Sequence, residues 1–524
     1  MPVPPEGITT VVSAHDGAYW LGSNQGAMRC GLNPAERCDY FASRRWLPDD
    51  EVLGIYPQSE RLVWIRTRTG VSRLQFRPMT LEEKTRPFEE RVRLRHNRYG
   101  LLGTSELTRP GDLSSNRMFP TDNDGLWTAI YVGAESFRFA ATRDPEARRL
   151  ARDSLSALLK LEQITGIPGF PARAYIRKGD YRHPGGEWHT TPDGQYEWKG
   201  DTSSDEIVGH FFAYSVYYDL VLGGANVGPG PAWRGPGRAT DTASRRGLKP
   251  RPTSPDEQPD EQDDEQEKRL VRAVVARILD HILAHDRYLV DVDGRATTWG
   301  KWSPEYFRTR PPEGIGWCDA PLNSLELLSF LRTTYHVTGD SRYLAEYHKL
   351  VKEGYARTAA LYRQRRAQGC ELNYSDEELA MLSFHPLFEY EQDPKLRAIY
   401  LDALEQWWEN VRREESSLWI YIYSRATGKG VDLNQARRTL VRYPMDLVDW
   451  TIRNSHRRDI RPDKDLDRSG RPQILDLLPP DERPVMRWNA NPFRVDGGGR
   501  GRGEDDGAAF LLPYWMGRYY GYVR

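Results

Sequence analysis

The chain has 524 residues, enough for one large domain with an appendage or for two or three domains. Its 74 lysines and arginines balance 75 aspartates and glutamates, which excludes the basic excess of a nucleic-acid-binding protein. No run approaches the roughly 20 apolar residues of a membrane span, and the four cysteines show no C-x-x-C spacing that would suggest zinc.

The opening "MPVPPEGITT" lacks the charged and apolar regions of a signal peptide. It reads as a start behind a removed leader, which places the protein outside the cytoplasm, secreted or periplasmic; a cytoplasmic protein would begin the same way. Residues 1–90 read as a small β region. "YWLGSNQGAMRC" and "VWIRTRTGVSRL" share one plan of alternating apolar residues, a polar turn with Gly and a second short strand. Tyr19 and Val63 start them 44 positions apart, near the propeller-blade period of about 40–45 residues. Two blades cannot close a propeller, so the pair is expected to form a small sheet packed on the next domain. Cys30 and Cys38 are close enough for a local disulfide.

Residues 91–119 connect this region to 120–524, where the period becomes helical. The punctuation "ATRDPEAR", "VTGDSRYL" and "YEQDPKLR" recurs. In each, an apolar helix ends and Asp144, Asp340 or Asp393 caps a more charged one, with Pro at the first position in two cases. Inner helices are predicted to start near Asp124, Thr202, Pro321, Ser375, Tyr443 and Asp506. Six inner-then-outer pairs predict a mainly α fold, an (α/α)6 toroid carrying the small N-terminal β region. The Gly-, Pro- and charge-rich stretch 223–267 cannot bury a core and reads as a disordered insertion.

In such a toroid the inner-helix openings line one end, so scattered polar clusters converge. "EWKGDTSSDEIVGH" carries more polarity than an N-cap needs. Glu206 and His210 share a helix face, and a buried Glu206 has the raised pKa of a general acid. Catalytic candidates are Glu206, His210, Asp124, Asp506, Tyr374 at one helix opening, and Tyr443, placed at another by the Pro that follows it. Substrate-holding candidates are Asp122, Asn123, Trp127, Arg173, Trp198, Lys199, Asp201, Asp205, Asn323, Asn373, Arg442, Trp488, Asn489 and Tyr514. His385, before Pro386, reads as structural. With 16 tryptophans and 28 tyrosines, a pocket of amides, acids and rings suits a polyhydroxylated ligand, a polysaccharide or oligosaccharide. "NPFRVDGGGRGRGEDDG" fits neither a P-loop nor a dinucleotide fingerprint and reads as a flexible lid. No metal is required; a calcium ion is the one cofactor left open.

The blade-like start, the "NDGLWTA" and "WKGDTSSDE" openings and the Tyr/Trp-rich last helix resemble bacterial carbohydrate-active (α/α)-barrel proteins, nearest the polysaccharide lyases acting on rhamnose linked to glucuronic acid. That resemblance implies β-elimination at a uronate by a tyrosine base, for which Tyr374, Tyr443 and Tyr514 qualify. A lyase also needs the substrate carboxylate neutralised, which Arg173, Arg177, Arg442, Arg487 or Arg494 could do. An inverting glycoside hydrolase needs instead two carboxyls, as Asp124, Glu206 or Asp506 could supply. A non-catalytic glycan-binding or sensory protein would show aromatic platforms without paired catalytic groups. Oligomeric state is not legible.

Overall fold

The computed structural model describes residues 7–33, 37–223, 261–487 and 489–523. The N-terminal part is β structure. Strands β1 (Ile8–Ser13), β2 (Tyr19–Ser23), β3 (Gly26–Cys30) and β4 (Asp39–Phe41) form an antiparallel sheet in chain order, and β5 (Val52–Ser59), β6 (Leu62–Thr67) and β7 (Val71–Gln75) form another. The two repeats therefore make two sheets rather than one. On β6, Val63, Ile65 and Thr67 are buried while Trp64 and Arg66 are exposed, the period of two of a half-buried strand. Inward residues of both sheets share a core that includes Trp20, Phe41, Val52, Ile55, Val63 and Ile65. The Cys30–Cys38 disulfide forms.

Buried charges fasten these sheets to the long segment 443–507. Arg457 and Glu482, both fully buried, pair at 2.9 Å, and Arg37 reaches the same carboxylate. Arg442, expected in the pocket, instead bridges Asp39 of β4 at 2.6 Å, Asp481 at 3.0 Å and Glu482 at 3.1 Å.

The described residues hold fourteen α-helices. Helix α1 (Leu81–Arg91), within the stretch read as the β region, opens with a capping box between Thr80 and Glu83. Short strands β8 to β11 follow (Asn97–Arg98, Leu101–Leu102, Thr104–Leu107, Asn116–Phe119), then α2 (Asp124–Thr142) and α3 (Pro145–Gln163). After β12 (Ala174–Arg177), β13 (Trp188–Thr190) and β14 (Tyr196–Lys199) come α4 (Ser204–Leu220) and α5 (Glu261–Ala284). Residues 224–260 of the expected insertion lie outside the described residues, whereas 261–267 open α5. The hairpin β15 (Tyr288–Val290) and β16 (Ala296–Lys301) precedes α6 (Gly316–Thr338), α7 (Ser341–Glu353), α8 (Tyr355–Ala359) and α9 (Tyr362–Ala367). Helices α10 (Tyr374–Tyr390), α11 (Pro394–Val411), α12 (Ser417–Thr427) and α13 (Leu433–Arg442) follow, and β17 (Gly503–Glu504) leads into α14 (Ala508–Tyr520).

The predicted punctuation holds at all three places: Asp144, Asp340 and Asp393 accept the N–H of Glu146, Arg342 and Lys395 at 3.0, 3.0 and 2.8 Å. Helix α2 is buried all round from Asp124 to Phe137, while α3 buries one stripe including Ala147, Leu150, Ala151, Leu155 and Leu158, the difference between an enclosed and a half-solvated helix. Packing runs from α2 to α4, α4 to α6, α6 to α10, α10 to α12, α12 to α14 and α14 back to α2. Helices α1, α3, α5, α7, α11 and α13 each pack on one or two of these six. Contact between α2 and α4 needs Gly209, where a Cβ would lie 2.9 Å from the Leu126 Cα.

Three expectations are corrected. The helix predicted at Tyr443 does not form: Tyr443 is the C-cap of α13, Pro444 follows it and cannot continue the helix, and α12 takes that place in the packing. Helix α6 begins at Gly316 and carries Pro321 inside it. The glycine-rich stretch is pinned rather than free. Gly499 and Gly501 donate to the Asp449 carbonyl at 3.1 and 2.7 Å, and at Gly498 a Cβ would meet the Trp450 carbonyl oxygen at 2.0 Å. A second disulfide, Cys318–Cys370, staples the first turn of α6 to the segment before α10. Among the described residues, no helix is long and apolar enough to cross a membrane.

Candidate active site

Side chains from the openings of α2, α4, α6 and α10 meet although they are far apart in sequence. The Asn123 amide donates to Asp205 at 3.3 Å, and Ser375 hydrogen-bonds the same carboxyl. Asp376 acts electrostatically on Glu326 and feels both Asp319 and Asp205. Glu378 feels Asp205 and, from across the cluster, Arg487. That guanidinium lies 4.2 Å from the centre of the Trp127 ring and pairs with Asp506 at 3.2 Å.

The carboxyls differ in burial: Asp205, Asp319 and Asp376 are half-buried residues, whereas Glu206, Glu326 and Glu378 are fully buried. Glu206 and Glu378 lie in or just beyond the first turn of their helices, whereas Glu326 lies near the middle of α6. Gly125 makes room for Glu206: a Cβ there would fall 1.9 Å from its Oε2. The Trp302 indole donates to Glu326 at 2.7 Å, and neither oxygen of Glu378 has a hydrogen-bond partner.

So many acids in one place hold their protons. Burial pushes Asp376 up to about 8, with Asp319 and Asp205 adding to it. Burial likewise lifts Glu326 to about 8, the Trp302 hydrogen bond partly offsetting it. Asp319 rises by burial to about 6, held back by the Tyr306 hydroxyl that donates to it at 2.6 Å and by Lys301. Glu206 and Glu378 are raised well above the carboxylate range by burial. Asp205 is raised by burial too, but Arg173 and hydrogen bonds from Ser203, Asn123 and Ser375 oppose the rise. Burial thus raises every acid of the cluster, but to different extents, because cations and hydrogen bonds oppose the rise more at Asp205 and Asp319 than at Glu378.

The remaining sequence candidates divide. Lys199 pairs with Asp122, and Arg173 donates to the backbone carbonyls of Asp122 and Asp201 at 3.0 and 2.6 Å, so these brace the loops around Asp205. Asp201, at φ +50, accepts from the Thr298 N–H at 2.7 Å. Asn373 caps α10 and donates to Asp376 at 2.5 Å; Asn323 donates to the Lys301 carbonyl at 2.6 Å. Asp124 is occupied by Arg98 at 2.8 Å and by Thr121, and Asp506 caps α14 through the Ala508 N–H. His210 is buried, bonds the Tyr214 hydroxyl at 2.9 Å and is pushed down to about 3 by burial, so it stays neutral. Tyr443 packs on Phe88 and Phe510, Tyr374 on the Ile474–Val495 cluster, and Tyr514 on Phe510. Burial raises all three phenols, Tyr514 to about 12. Trp198 is buried against Phe170 and His189. Asn489 lies in a turn, and Trp488 lies outside the described residues. His385 is structural in its contacts, bonding the Tyr520 hydroxyl at 2.9 Å.

No family model, curated protein or solved structure matches this chain. The site therefore rests on its own geometry. Asp376 and Glu378 complete it and carry no special spacing: "SDEE" at a helix opening looks like ordinary first-turn acidity. A surface groove of about 750 Å³, lined in part by Asp280, Arg287, Tyr288 and Arg342, lies apart from this cluster. Two of its arginines are already paired, Arg342 with Asp280 and Asp340 and Arg287 with Glu353.

Proposed function

We propose that α2, α4, α6, α10, α12 and α14 are the inner wall of an (α/α)6 toroid and that the carboxyl cluster at their openings is the active site of a glycoside hydrolase. One observation carries this reading: burial lifts Asp376 to about 8, while the rise that burial imposes on the neighbouring Asp205 is opposed by Arg173 and by hydrogen bonds from Ser203, Asn123 and Ser375. Asp376 then donates its proton to the glycosidic oxygen as the bond to the anomeric carbon breaks. Asp205 accepts a proton from the water that attacks the opposite face, giving inversion. Asn123 and Arg487 offer hydrogen bonds to sugar hydroxyls at the rim.

The lyase alternative has less support. Its base must lose a proton easily, yet Tyr374, Tyr443 and Tyr514 are raised and His210 is enclosed. A uronate carboxylate would also enter a field of acids rather than of arginines. Two disulfides fit an oxidising compartment, which supports a secreted or periplasmic setting.

The test is incubation with neutral and uronate-containing oligosaccharides, following reducing ends and absorbance near 235 nm together. New reducing ends without absorbance, reduced by roughly 10²–10⁴ in D376N, are expected. A rise at 235 nm, or full activity in D376N, overturns the hydrolase reading.

A further inference from the structure

Beside the Gly200–Asp201 turn, Glu187, His189 and Asp291 bring one ligand atom each to within 4.8 Å of one another. Glu187 and His189 are two residues apart at the start of β13, so their side chains leave the same face. Asp291 arrives from the turn after β15. The His189 ring lies 4.3 Å from that of Trp198, its partner across the strands, which fixes its plane. Its Nε2 is buried and has no hydrogen-bond partner. Gly200 floors the group: a Cβ there would stand 2.7 Å from Asp291 Oδ2 and 3.0 Å from that same Nε2. Asp291 accepts the N–H groups of Asp201 and Val292, each at 2.6 Å, outer hydrogen bonds of the kind that orient a ligating carboxylate.

We infer that Glu187, His189 and Asp291 bind one divalent transition-metal ion of the zinc or manganese type. One imidazole with two carboxylates is a mixed nitrogen and oxygen set, which suits those ions better than calcium with its all-oxygen shell. Glu187 is exposed and lies 4.0 Å from Arg295, so the ion enters from solvent and keeps water on its remaining positions. It fastens the β13–β14 hairpin to the β15–β16 hairpin at the turn that leads into Asp205. This inference is independent of the hydrolase reading, because its ligands are not the acids of that cluster.

The test loads chelator-stripped protein with zinc chloride, desalts it, and measures zinc per chain by mass spectrometry. Cobalt loading in parallel follows visible absorption and tryptophan fluorescence, which reports through Trp198. Wild type is expected to retain one equivalent of zinc and to gain a cobalt spectrum. His189→Ala and Glu187→Gln are expected to weaken retention by more than about tenfold while circular dichroism stays unchanged. Should His189→Ala not fold, Glu187→Gln, altered at an exposed side chain, decides alone. Absence of retained zinc in wild type, or equal retention in Glu187→Gln, overturns the site.

Discussion

Replacing Asp376 with Asn separates stability from chemistry. In the unfolded chain this carboxyl ionises near 3.8, and in the folded protein near 8. A group raised by folding favours the native state below the lower value. That advantage is lost as pH climbs through the window to about 8, because the unfolded chain releases its proton first. The full displacement corresponds to roughly 6 kcal/mol, of which roughly 4 kcal/mol falls above pH 5. Urea unfolding at pH 5, 7 and 9 measures it. Wild type should lose about 4 kcal/mol more than D376N between the extremes, so the variant is the more stable protein at pH 9 and the less active one. Parallel stability profiles for the two proteins would refute the claim that burial, helped by neighbouring acids, holds Asp376 protonated.

Two further changes test the framework around the site. The Cys318–Cys370 bridge closes a loop with a sequence separation of 52, so the double serine variant should lose about 4 kcal/mol, measured by denaturant unfolding, and lose activity before it unfolds as the openings of α6 and α10 part. Arg457→Ala leaves Glu482 buried with fewer cations and should cost about 3–5 kcal/mol. Proteolysis of that variant should begin in the β1–β7 region, and an unchanged melting temperature would remove the network from the account of how the sheets are fastened.

What could be read from the chain depended on whether the signal was local. Asp144, Asp340 and Asp393 announced their helices because a cap and its first turn lie within four residues. The openings at Asp124, Thr202 and Ser375 were legible for the same reason, and Asn123, Asp205 and Glu206 came with them. Helix α12 was not, because "SLWIYIYS" is a short continuous apolar run that periodicity cannot assign to helix or strand. The Tyr443–Pro444 pair imitated a helix start while marking an end. Pro321 hid the true start of α6, since the helix runs on past it. Asp376 and Glu378 became visible only when another helix was seen to face them. The Cys318–Cys370 pairing joins segments whose approach no spacing encodes.

The position of α14 bears on how the protein is made. This helix packs between α2 and α12, and a Cβ on Gly133 of α2 would reach Leu512 on it. A ribosome adding about 5–20 residues per second therefore leaves one apolar face of α2 uncovered for roughly 20–70 s. Throughout that interval the growing chain presents Gly133 and its neighbours to the cell. Holding factors that mask such faces, or slow codons that let α2 and α4 pair first, would decide the yield of this protein as much as its final stability does.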